Sequence, residues 1–328
     1  MSTNQAVCAA CGKGGDNLKV CTSCEQVSYC NAKCRKAHRS KHKKECRQYT
    51  TTIYDGKVAA RKKVDAIIDK FSKIEISDKE LFVDPPQKED CDICFLPIPH
   101  TSGICGVYTV YQPCCGKTIC NGCMVSAKLE MDKGNLKECC PFCRMPLHTS
   151  NEELVQRVKK RLKVNDHEAF YMLAGGYYNG SMGLNQDFSE AIHLLYIGAE
   201  LGSISAHSAL AEACQYGNGT EVDLKRATIH LQLAAIGGDV LARRHLGADE
   251  SNFERAYKHF MIAAKSGDDE SLKEVGKGYK AGHITKDEYA STLRAHQQSW
   301  GEMMSEQRSN ASKYPDIIRT YGDEIPYD

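Results

Sequence analysis

The sequence has little that would direct the chain to a membrane, to secretion or to nucleic acid. Its 328 residues contain no run of about 18 apolar residues able to span a bilayer, and the opening stretch MSTNQAVCAACGKGG lacks the apolar segment of a signal peptide. The formal net charge is only +1, so no overall attraction to polyanions is expected. Phosphate-binding loops, H-E-x-x-H motifs and nucleophile–base constellations are also missing. These absences favour a cytoplasmic or nuclear protein without catalytic residues of its own.

Cysteine is scarce only in the back half of the chain. Seventeen of the 18 cysteines precede residue 144, and nearly all stand in closely spaced pairs. Zinc ligands are distributed in this way, whereas buried core cysteines are not. Because thiolates persist where glutathione keeps cysteines reduced, the pattern favours zinc over the disulfides of a secreted protein. The chain is therefore predicted to have a metal-dependent front half and a back half that buries its own core.

The first cysteine cluster offers enough ligands for two tetrahedral sites. Two Cys-x-x-Cys knuckles and two pairs spaced four apart give the set Cys8, Cys11, Cys21, Cys24, Cys30, Cys34, His42 and Cys46. The segment from Asn31 to Gln48 is rich in Lys, Arg and Ala and has no Gly or Pro, so it is predicted to be a helix. Residues four apart share a helix face, so each later pair can complete a site that a knuckle begins.

This order of ligands, with Tyr29 directly before Cys30, resembles a MYND zinc finger over residues 8–46. The resemblance implies two interleaved sites, formed by Cys8, Cys11, Cys30 and Cys34 and by Cys21, Cys24, His42 and Cys46. MYND fingers mostly bind proline-containing peptides through a Gln and a Trp, and here Arg35 and Arg39 occupy those positions. The usual peptide-binding surface is therefore altered.

His38 and the basic run around it, RKAHRSKHKKECR, are predicted to form a solvated helix face. The eight ligands are complete without His38. No aromatic or amide residues that read bases accompany the charges, so nucleic acid is not an expected partner. The motifs of a SET domain, which surrounds the MYND finger in lysine methyltransferases, are missing, so methyl transfer is not predicted.

A helical linker is predicted for residues 47–88. In it Val64, Ile67, Ile68 and Phe71 recur at helical spacing, which indicates a helix packed on a neighbour. The sequence Asp84-Pro85-Pro86 then closes the segment.

The second cysteine cluster begins with Cys91-x-x-Cys94, continues through PCCGKTIC to Cys123, and ends with Cys140-Pro-Phe-Cys143. This outline resembles a RING finger over residues 91–147. The usual RING pattern has a histidine where this chain has Lys117, and a protonated lysine cannot bind zinc. We therefore predict an all-cysteine variant in which one ion is held by Cys91, Cys94, Cys120 and Cys123, and the other by Cys114, Cys115, Cys140 and Cys143.

Two adjacent cysteines on one ion need an unusual turn, which Gly116 can supply. The alternative to that pair brings in Cys105 or His100 from the preceding loop. Cys139 is interpreted as a bystander, because the knuckle C-P-F-C starts at Cys140.

The RING resemblance implies a docking surface for a ubiquitin-conjugating enzyme, whose thioester-linked ubiquitin such domains hold in a reactive pose. Ile93, Pro141 and Arg144 occupy the positions that form this surface in the family. No aromatic residue stands between Cys123 and Cys140, where many active ligases have a Trp. In the alternative, an inert zinc module, Ile93 and Pro141 serve packing and Arg144 is a solvated charge.

The back half is repetitive over residues 166–296. The segment DFSEAIHLLYIGAELG is echoed 36 residues later by DLKRATIHLQLAAIGG and then by NFERAYKHFMIAAKSG, and an Ala-rich segment precedes each. Such a period is typical of a helical solenoid, and the pattern resembles the Sel-like repeats, relatives of the tetratricopeptide class. The third unit is predicted to be shortened in its inter-helix loop. A fourth, starting at Ser271, is predicted to be incomplete.

Recurring small residues are predicted to let the repeat helices approach closely: Ala191, Ala199, Ala227, Ala235, Ala256 and Ala264. Cys214 lies among Ala and Leu and is interpreted as a small buried hydrophobe. Residues 299–328 are mostly polar and hold the chain's single tryptophan, Trp300, near their start; they are predicted to be a frayed helix followed by a mobile tail.

The predicted fold is mainly α, with two small zinc-stabilised α+β modules followed by an α-helical solenoid of Sel-like repeats. Four structural Zn²⁺ ions are expected, because both clusters fill their coordination and leave no position for a catalytic water. We predict a protein-interaction adaptor of the ubiquitin-ligase type, in which the repeats bind a protein or peptide partner and the RING-like module recruits a conjugating enzyme. The alternatives are a non-enzymatic scaffold and, less favoured, a nucleic-acid-associated regulator.

Overall fold

The computed structural model describes residues 7–13, 18–21, 27–99 and 109–317. The chain divides into two compact units, residues 1–66 and 67–328, and the boundary lies inside the first long helix. Helices dominate and form consecutive pairs in the back half, which confirms the mainly α fold class. Among the described residues, no helix has the length and apolar character needed to cross a bilayer.

The first unit is built around the predicted metal ligands. Strands β1 (Lys19–Val20) and β2 (Ser28–Tyr29) pair antiparallel, with Lys19 opposite Tyr29, and helix α1 (Ala32–Ser72) follows. Cys8, Cys21 and Tyr29 form a buried cluster here, and further cysteines pack against them. A module this small has little apolar surface to bury, so bound metal has to supply much of its folding free energy.

Helix α1 is longer than the sequence predicts. We expected a helix to end near Gln48 and a separate linker helix to follow, but one helix of 41 residues joins the two. The physical reason lies in the intervening segment, which contains one glycine, Gly56, and no proline. It therefore has no strong signal to end the helix.

The second cysteine cluster forms a ββα module. Strands β3 (Thr109–Gln112) and β4 (Lys117–Cys120) make an antiparallel hairpin in which Val110 pairs with Ile119. Helix α3 (Asn121–Lys133) directly follows this hairpin. The short helix α2 (Asp78–Leu81) lies earlier in the chain, before the cysteine cluster. Cys91, Cys120 and Cys123 are buried together with Ile98 and Ile119, so predicted ligands again form part of the core.

A helix that the sequence reading missed, α4 (Asn151–Leu162), leads into the repeats. It buries Leu154, Val155 and Val158, and the Ser150 side chain caps it by accepting from the Glu153 amide. The Ser-x-x-Glu spacing is a helix-start signal, so this helix was detectable in the sequence.

The repeats are helix pairs that stack in chain order. The first pair is α5 (His167–Asn179) with α6 (Phe188–Glu200), the second α7 (Ile204–Tyr216) with α8 (Leu224–Gly237), the third α9 (Val240–Asp249) with α10 (Phe253–Lys265), and the fourth α11 (Asp269–Lys280) with α12 (Lys286–Met303). The small residues predicted at close approaches are buried, as is Cys214.

Two details of the repeats differ from the sequence prediction. The third unit is shorter both in its connection and in α9 itself, which has 10 residues against 13 in α5 and α7. The fourth unit is a complete helix pair, with an α12 of 18 residues. Its sequence follows the repeat pattern only in part although both of its helices form, so the pattern alone underestimated it.

Residues 67–88, which we call the strap, run along the repeats. The Phe71 ring lies 5.2 Å from that of His207 and 5.3 Å from that of His230. Further on, Leu81 packs among side chains of α8 and α9, and the Phe82 ring lies 4.8 Å from the ring of His259 on α10. The predicted packing of this segment on a neighbour is therefore packing on the repeats.

The predicted tail is partly helical. Helix α13 (Glu306–Ala311) contacts α3, and it buries Arg308 and Ala311. This departs from the frayed tail predicted for residues 299–328, because the burial of Arg308 depends on partners distant in sequence. Residues 318–328 lie outside the described part of the chain.

Candidate zinc centres

The first site of the MYND-like module brings together four predicted ligands. The sulfurs of Cys8, Cys11, Cys30 and Cys34 all lie within 4.8 Å of one another. The Cys11–Cys30 and Cys30–Cys34 sulfur distances are 3.7 and 3.6 Å. Four thiolates about 2.3 Å from a tetrahedral zinc would have sulfurs about 3.8 Å apart, so the arrangement fits the ion.

Local turns position these ligands. The Gly12 amide donates to the Cys8 carbonyl over 2.8 Å, and Gly12 has a φ of 71°, so the first knuckle closes through a left-handed glycine. At the start of α1 the Asn31 side chain accepts from the Cys34 amide over 2.9 Å, which caps the helix that carries the second pair.

The second site of this module contains Cys21, His42 and Cys46, whose ligand atoms lie within 4.8 Å of one another. The Cys21 and Cys46 sulfurs are 3.9 Å apart, and the imidazole of His42 is buried beside them. Its fourth predicted ligand, Cys24, lies outside the described residues. The predicted ligands of the two sites therefore alternate along the chain.

His38 differs from the solvated residue that we predicted. Its ring stacks on that of His42, with centroids 5.9 Å apart, and its Nδ1 lies 3.1 Å from the Tyr29 hydroxyl. Positions 38 and 42 are neighbours on one helix face, so the contact follows from their spacing. His38 therefore packs beside the imidazole of a predicted ligand without joining the ligand group.

The first site of the RING-like module contains Cys91, Cys94, Cys120 and Cys123, with all four sulfurs within 4.8 Å. The Cys91–Cys123 distance is 3.9 Å and the Cys94–Cys120 distance is 3.8 Å. The Cys120 amide also points at the Cys91 sulfur over 3.4 Å, a contact that favours the thiolate form.

The second site contains the adjacent pair Cys114 and Cys115 with Cys140 and Cys143. Successive sulfur distances around it are 4.0, 3.9 and 3.5 Å. The hairpin turn that presents the pair contains Gly116 at a φ of 72°, and the Gly116 amide donates to the Gln112 carbonyl over 2.7 Å. Burial raises the pKa of the Cys114 and Cys115 thiols, so a bound cation is needed to hold them as thiolates near neutral pH.

The alternative ligands His100 and Cys105 lie outside the described residues. Cys139 belongs to neither sulfur group, and its backbone pairs with that of Pro146 in an isolated antiparallel β-bridge. Along the chain, the first cysteine pair (Cys91 and Cys94) thus groups with the third (Cys120 and Cys123). The second pair (Cys114 and Cys115) groups with the fourth (Cys140 and Cys143). This crossed pairing ties the hairpin to both knuckles.

The two knuckles of the RING-like module share one backbone shape, which sequence reasoning missed. The Phe95 amide donates to the Cys91 carbonyl over 2.9 Å, and the Arg144 amide donates to the Cys140 carbonyl over 3.0 Å. Phe95 and Arg144 both have positive φ, 55° and 61°. The signal was present in the sequence, since CDICFLP and CPFCRMP share one pattern: Cys-x-x-Cys is followed by one variable residue, one apolar residue and Pro.

Lys117, at the position of the usual histidine, connects the two knuckles. Its ammonium group lies 2.8 Å from the Asp92 carboxylate in the first knuckle and 5.6 Å from the centre of the Phe142 ring in the second. The hydrogen bond and the charge of Asp92 raise the pKa of Lys117. Lysine here contributes an ion pair and a cation–π contact instead of a metal bond.

The residues predicted to dock a conjugating enzyme lie on these knuckles. Ile93 is half-buried against the core that includes Cys91 and Ile119, and Pro141 is half-buried in the second knuckle. Arg144 is exposed directly after the last ligand. In the MYND-like module, Arg35 and Arg39 are exposed on α1.

Two family models match the chain. The MYND finger model covers residues 8–46, and the Sel1 repeat model covers residues 167–203, 204–239 and 242–268. The predicted MYND finger and Sel-like repeats are thereby confirmed, and with the cysteine clusters they indicate zinc binding. Neither model covers residues 91–147, so the RING assignment stays a prediction. The matches support a zinc-finger and Sel1-repeat protein-interaction adaptor.

Two solved structures are similar to part of the chain. A Sel1 repeat protein from Oxalobacter formigenes is 23% identical over 52% of this chain and 50% of that one, with a TM-score of 0.42. The protective antigen c5321 of uropathogenic Escherichia coli, which displays an SLR fold, is 22% identical over 54% of this chain and 37% of that one, with a TM-score of 0.41. The chain thus spans half or less of their length. No curated protein matches it.

Proposed function

We propose that the chain is a zinc-dependent adaptor that acts as a RING-type ubiquitin-protein ligase. The repeats bind a protein or peptide partner, and the second zinc module recruits a ubiquitin-conjugating enzyme. The observation that carries the proposal is the crossed grouping of four cysteine pairs around a ββα module. Four zinc ions, two in each module, would hold both modules in shape.

The placement of the docking residues supports this function. Ile93 and Pro141 lie in knuckles of the same shape, and Lys117 ties those knuckles together through Asp92 and Phe142. A docking surface made of two loops needs a fixed spacing between them, and this contact supplies it.

The attachment of the module to the repeats supports a role in positioning. The Tyr111 hydroxyl in β3 donates to the Asp166 carboxylate over 2.7 Å, and Arg161 in α4 donates to the same carboxylate over 2.8 Å. A ligase of this class accelerates transfer by holding reactants together, so a fixed joint between the docking module and the partner-binding repeats serves that chemistry.

Ubiquitin discharge tests the proposal. The full chain is incubated with activating enzyme, ATP, ubiquitin and a panel of conjugating enzymes, and loss of the thioester and self-ubiquitination are followed. We expect acceleration by the wild-type chain, its loss in Ile93→Ala, and a reduction in Arg144→Ala, whose exposed side chain can be removed without disturbing the core. Leu136→Ala is the matched control, because Leu136 is an exposed apolar residue of the same module, at 65%.

Zinc content is measured for every variant, so that a loss of rate is assigned to docking and not to unfolding. Silence of the zinc-loaded wild-type chain across the whole panel would contradict ligase activity. That result would favour a scaffold whose zinc modules only bind proteins.

A further inference from the structure

A buried arginine from α13 reaches the first zinc site of the RING-like module. Arg308 is only 2% exposed, although it lies in a polar stretch near the end of the described chain. An arginine side chain cannot release its proton inside a protein, so its charge is buried with it. Burying a charge costs several kcal/mol unless partners compensate for it. The surroundings of Arg308 therefore need an explanation.

The guanidinium group is held by the knuckle that carries Cys91 and Cys94. Nη2 donates to the Leu96 carbonyl over 2.9 Å and lies 3.6 Å from the Cys94 sulfur. Nη1 donates to the Pro97 carbonyl over 2.6 Å and to the Met303 carbonyl over 2.5 Å. Its partners are thus three carbonyl oxygens and a predicted zinc ligand.

The other half of the same site also contacts Arg308. A Cβ atom on Gly122 would lie 2.9 Å from the Arg308 Cγ and 3.0 Å from its Cα, closer than real side chains approach. Gly122 stands between the ligands Cys120 and Cys123. Met304, just before α13, packs against the cluster that contains Cys91, Cys120 and Cys123. The segment from 303 to 311 therefore touches both ligand pairs of one site.

The charge of that site explains the cation. A divalent ion held by four thiolates leaves two negative charges uncompensated. A guanidinium next to one of the sulfurs offsets part of this charge, and its fork of donors fits several acceptors at once. A lysine ammonium group is a compact point charge without this fork of donors.

We propose that Arg308 is a positioning residue of the first zinc site in the RING-like module, and that α13 is an integral part of that module. Its charge stabilises the thiolate ligands, and its hydrogen bonds to Leu96 and Pro97 hold the knuckle on which Ile93 lies. The proposal rests on the zinc assignment within the proposed function, but it does not require ligase activity.

Metal release from the full zinc-loaded chain tests the proposal. Excess chromophoric chelator is added, and the release of each ion is followed. Residues that support metal ligands typically change metal affinity by about 10–100-fold. We expect one ion to leave about 10–100-fold faster in Arg308→Met than in the wild type, with Arg308→Lys between the two. Arg294→Met is the control, because Arg294 is exposed on α12.

Amide hydrogen exchange locates the effect. Peptides covering residues 91–97 should exchange faster in Arg308→Met, whereas peptides from the second site, around residue 140, should keep their protection. Wild-type release rates together with wild-type exchange would overturn the role of Arg308. If Arg308→Met does not fold, the same comparison is made on Arg308→Lys.

The zinc content of the wild-type chain separates the two proposals. A wild-type chain that binds no ion at Cys91, Cys94, Cys120 and Cys123 overturns the zinc assignment and the role of Arg308 together. A chain that binds the ion and responds to Arg308→Met but transfers no ubiquitin overturns only the ligase proposal.

Discussion

Lys117 connects the two knuckles of the RING-like module through an ion pair and a cation–π contact. It is the first residue of β4, at the position where the RING pattern has histidine, and its ammonium group pairs with Asp92 at 2.8 Å. The tie between the knuckles is therefore electrostatic, while the sulfurs of Cys114 and Cys115 lie in the predicted ligand group.

Replacing Lys117 by Ala should leave the zinc content unchanged. The ion pair is partly exposed, so its loss should lower the stability of the fold only slightly. Cys115→Ser, by contrast, should lower the zinc content by one ion. Native mass spectrometry of both variants measures this. Loss of an ion from Lys117→Ala would argue against the all-cysteine ligand set.

The paired histidines under the strap make the stability of the repeats depend on pH. The Nδ1 atoms of His207 and His230 are 3.0 Å apart, and burial lowers the pKa of His207 to about 4 and that of His230 to about 3. Between the ordinary value of 6.5 and these values, the unfolded chain binds more protons than the folded one. The free energy of unfolding therefore falls as the pH falls below 6.5.

For His207 we expect a loss of about 2 kcal/mol between pH 7.5 and pH 5. Urea unfolding at both pH values measures it, and the drop should be smaller in His207→Gln than in the wild type. His245→Gln is the control, because His245 is exposed. Since zinc release also destabilises the chain in acid, the difference between variants is the relevant quantity. Equal drops in all three proteins would refute the histidine account.

Among the elements, those with local sequence signals were predictable. The ligand pairs follow from Cys-x-x-Cys and four-residue spacings, and the repeat helices follow from a period of 36 residues with capping residues such as Asp187 and Asp223 at equivalent positions. The contacts of the strap and of α13 could not be predicted from the sequence. The burial of Leu81 and Arg308 depends on residues more than 150 positions away, which no local pattern encodes.

The strap should contribute to the stability of the repeats. Leu81 is 1% exposed and packs against Ala234, Ala235 and Leu246, while the buried Arg243 donates to its carbonyl. Leu81→Ala should lower the free energy of unfolding by about 2–5 kcal/mol, the usual range for a buried leucine. Val83→Ala is the matched control, because Val83 is 43% exposed and its truncation should cost about 0.5 kcal/mol or less. Urea unfolding measures both, and similar losses would show that the strap is not docked.

At the scale of the whole molecule, the folding of the two zinc modules should be separable from the folding of the repeats. Structural zinc sites supply on the order of 10 kcal/mol of folding free energy each, whereas the repeats bury their own apolar core. A chelator should therefore remove all four expected ions and abolish the protease resistance of residues 8–46 and 91–147. Most of the far-ultraviolet helix signal should remain, because α5 to α12 contain no predicted ligand. Complete loss of helix on chelation would contradict this division.

The joint at Asp166 has a practical meaning for dissecting the chain. Asp166 stands at the N-cap position of α5, yet its carboxylate accepts from Tyr111 and Arg161 instead of capping the helix. A fragment that starts at residue 167, where the first matched repeat begins, would lack Asp166, both of its donors and the whole of α4. Helix α5 would then begin without its N-cap residue, and the side of α5 that packs on α4 would be exposed. Fragments intended to isolate the repeats should keep α4, and those intended to isolate the RING-like module should keep its partner helix α13.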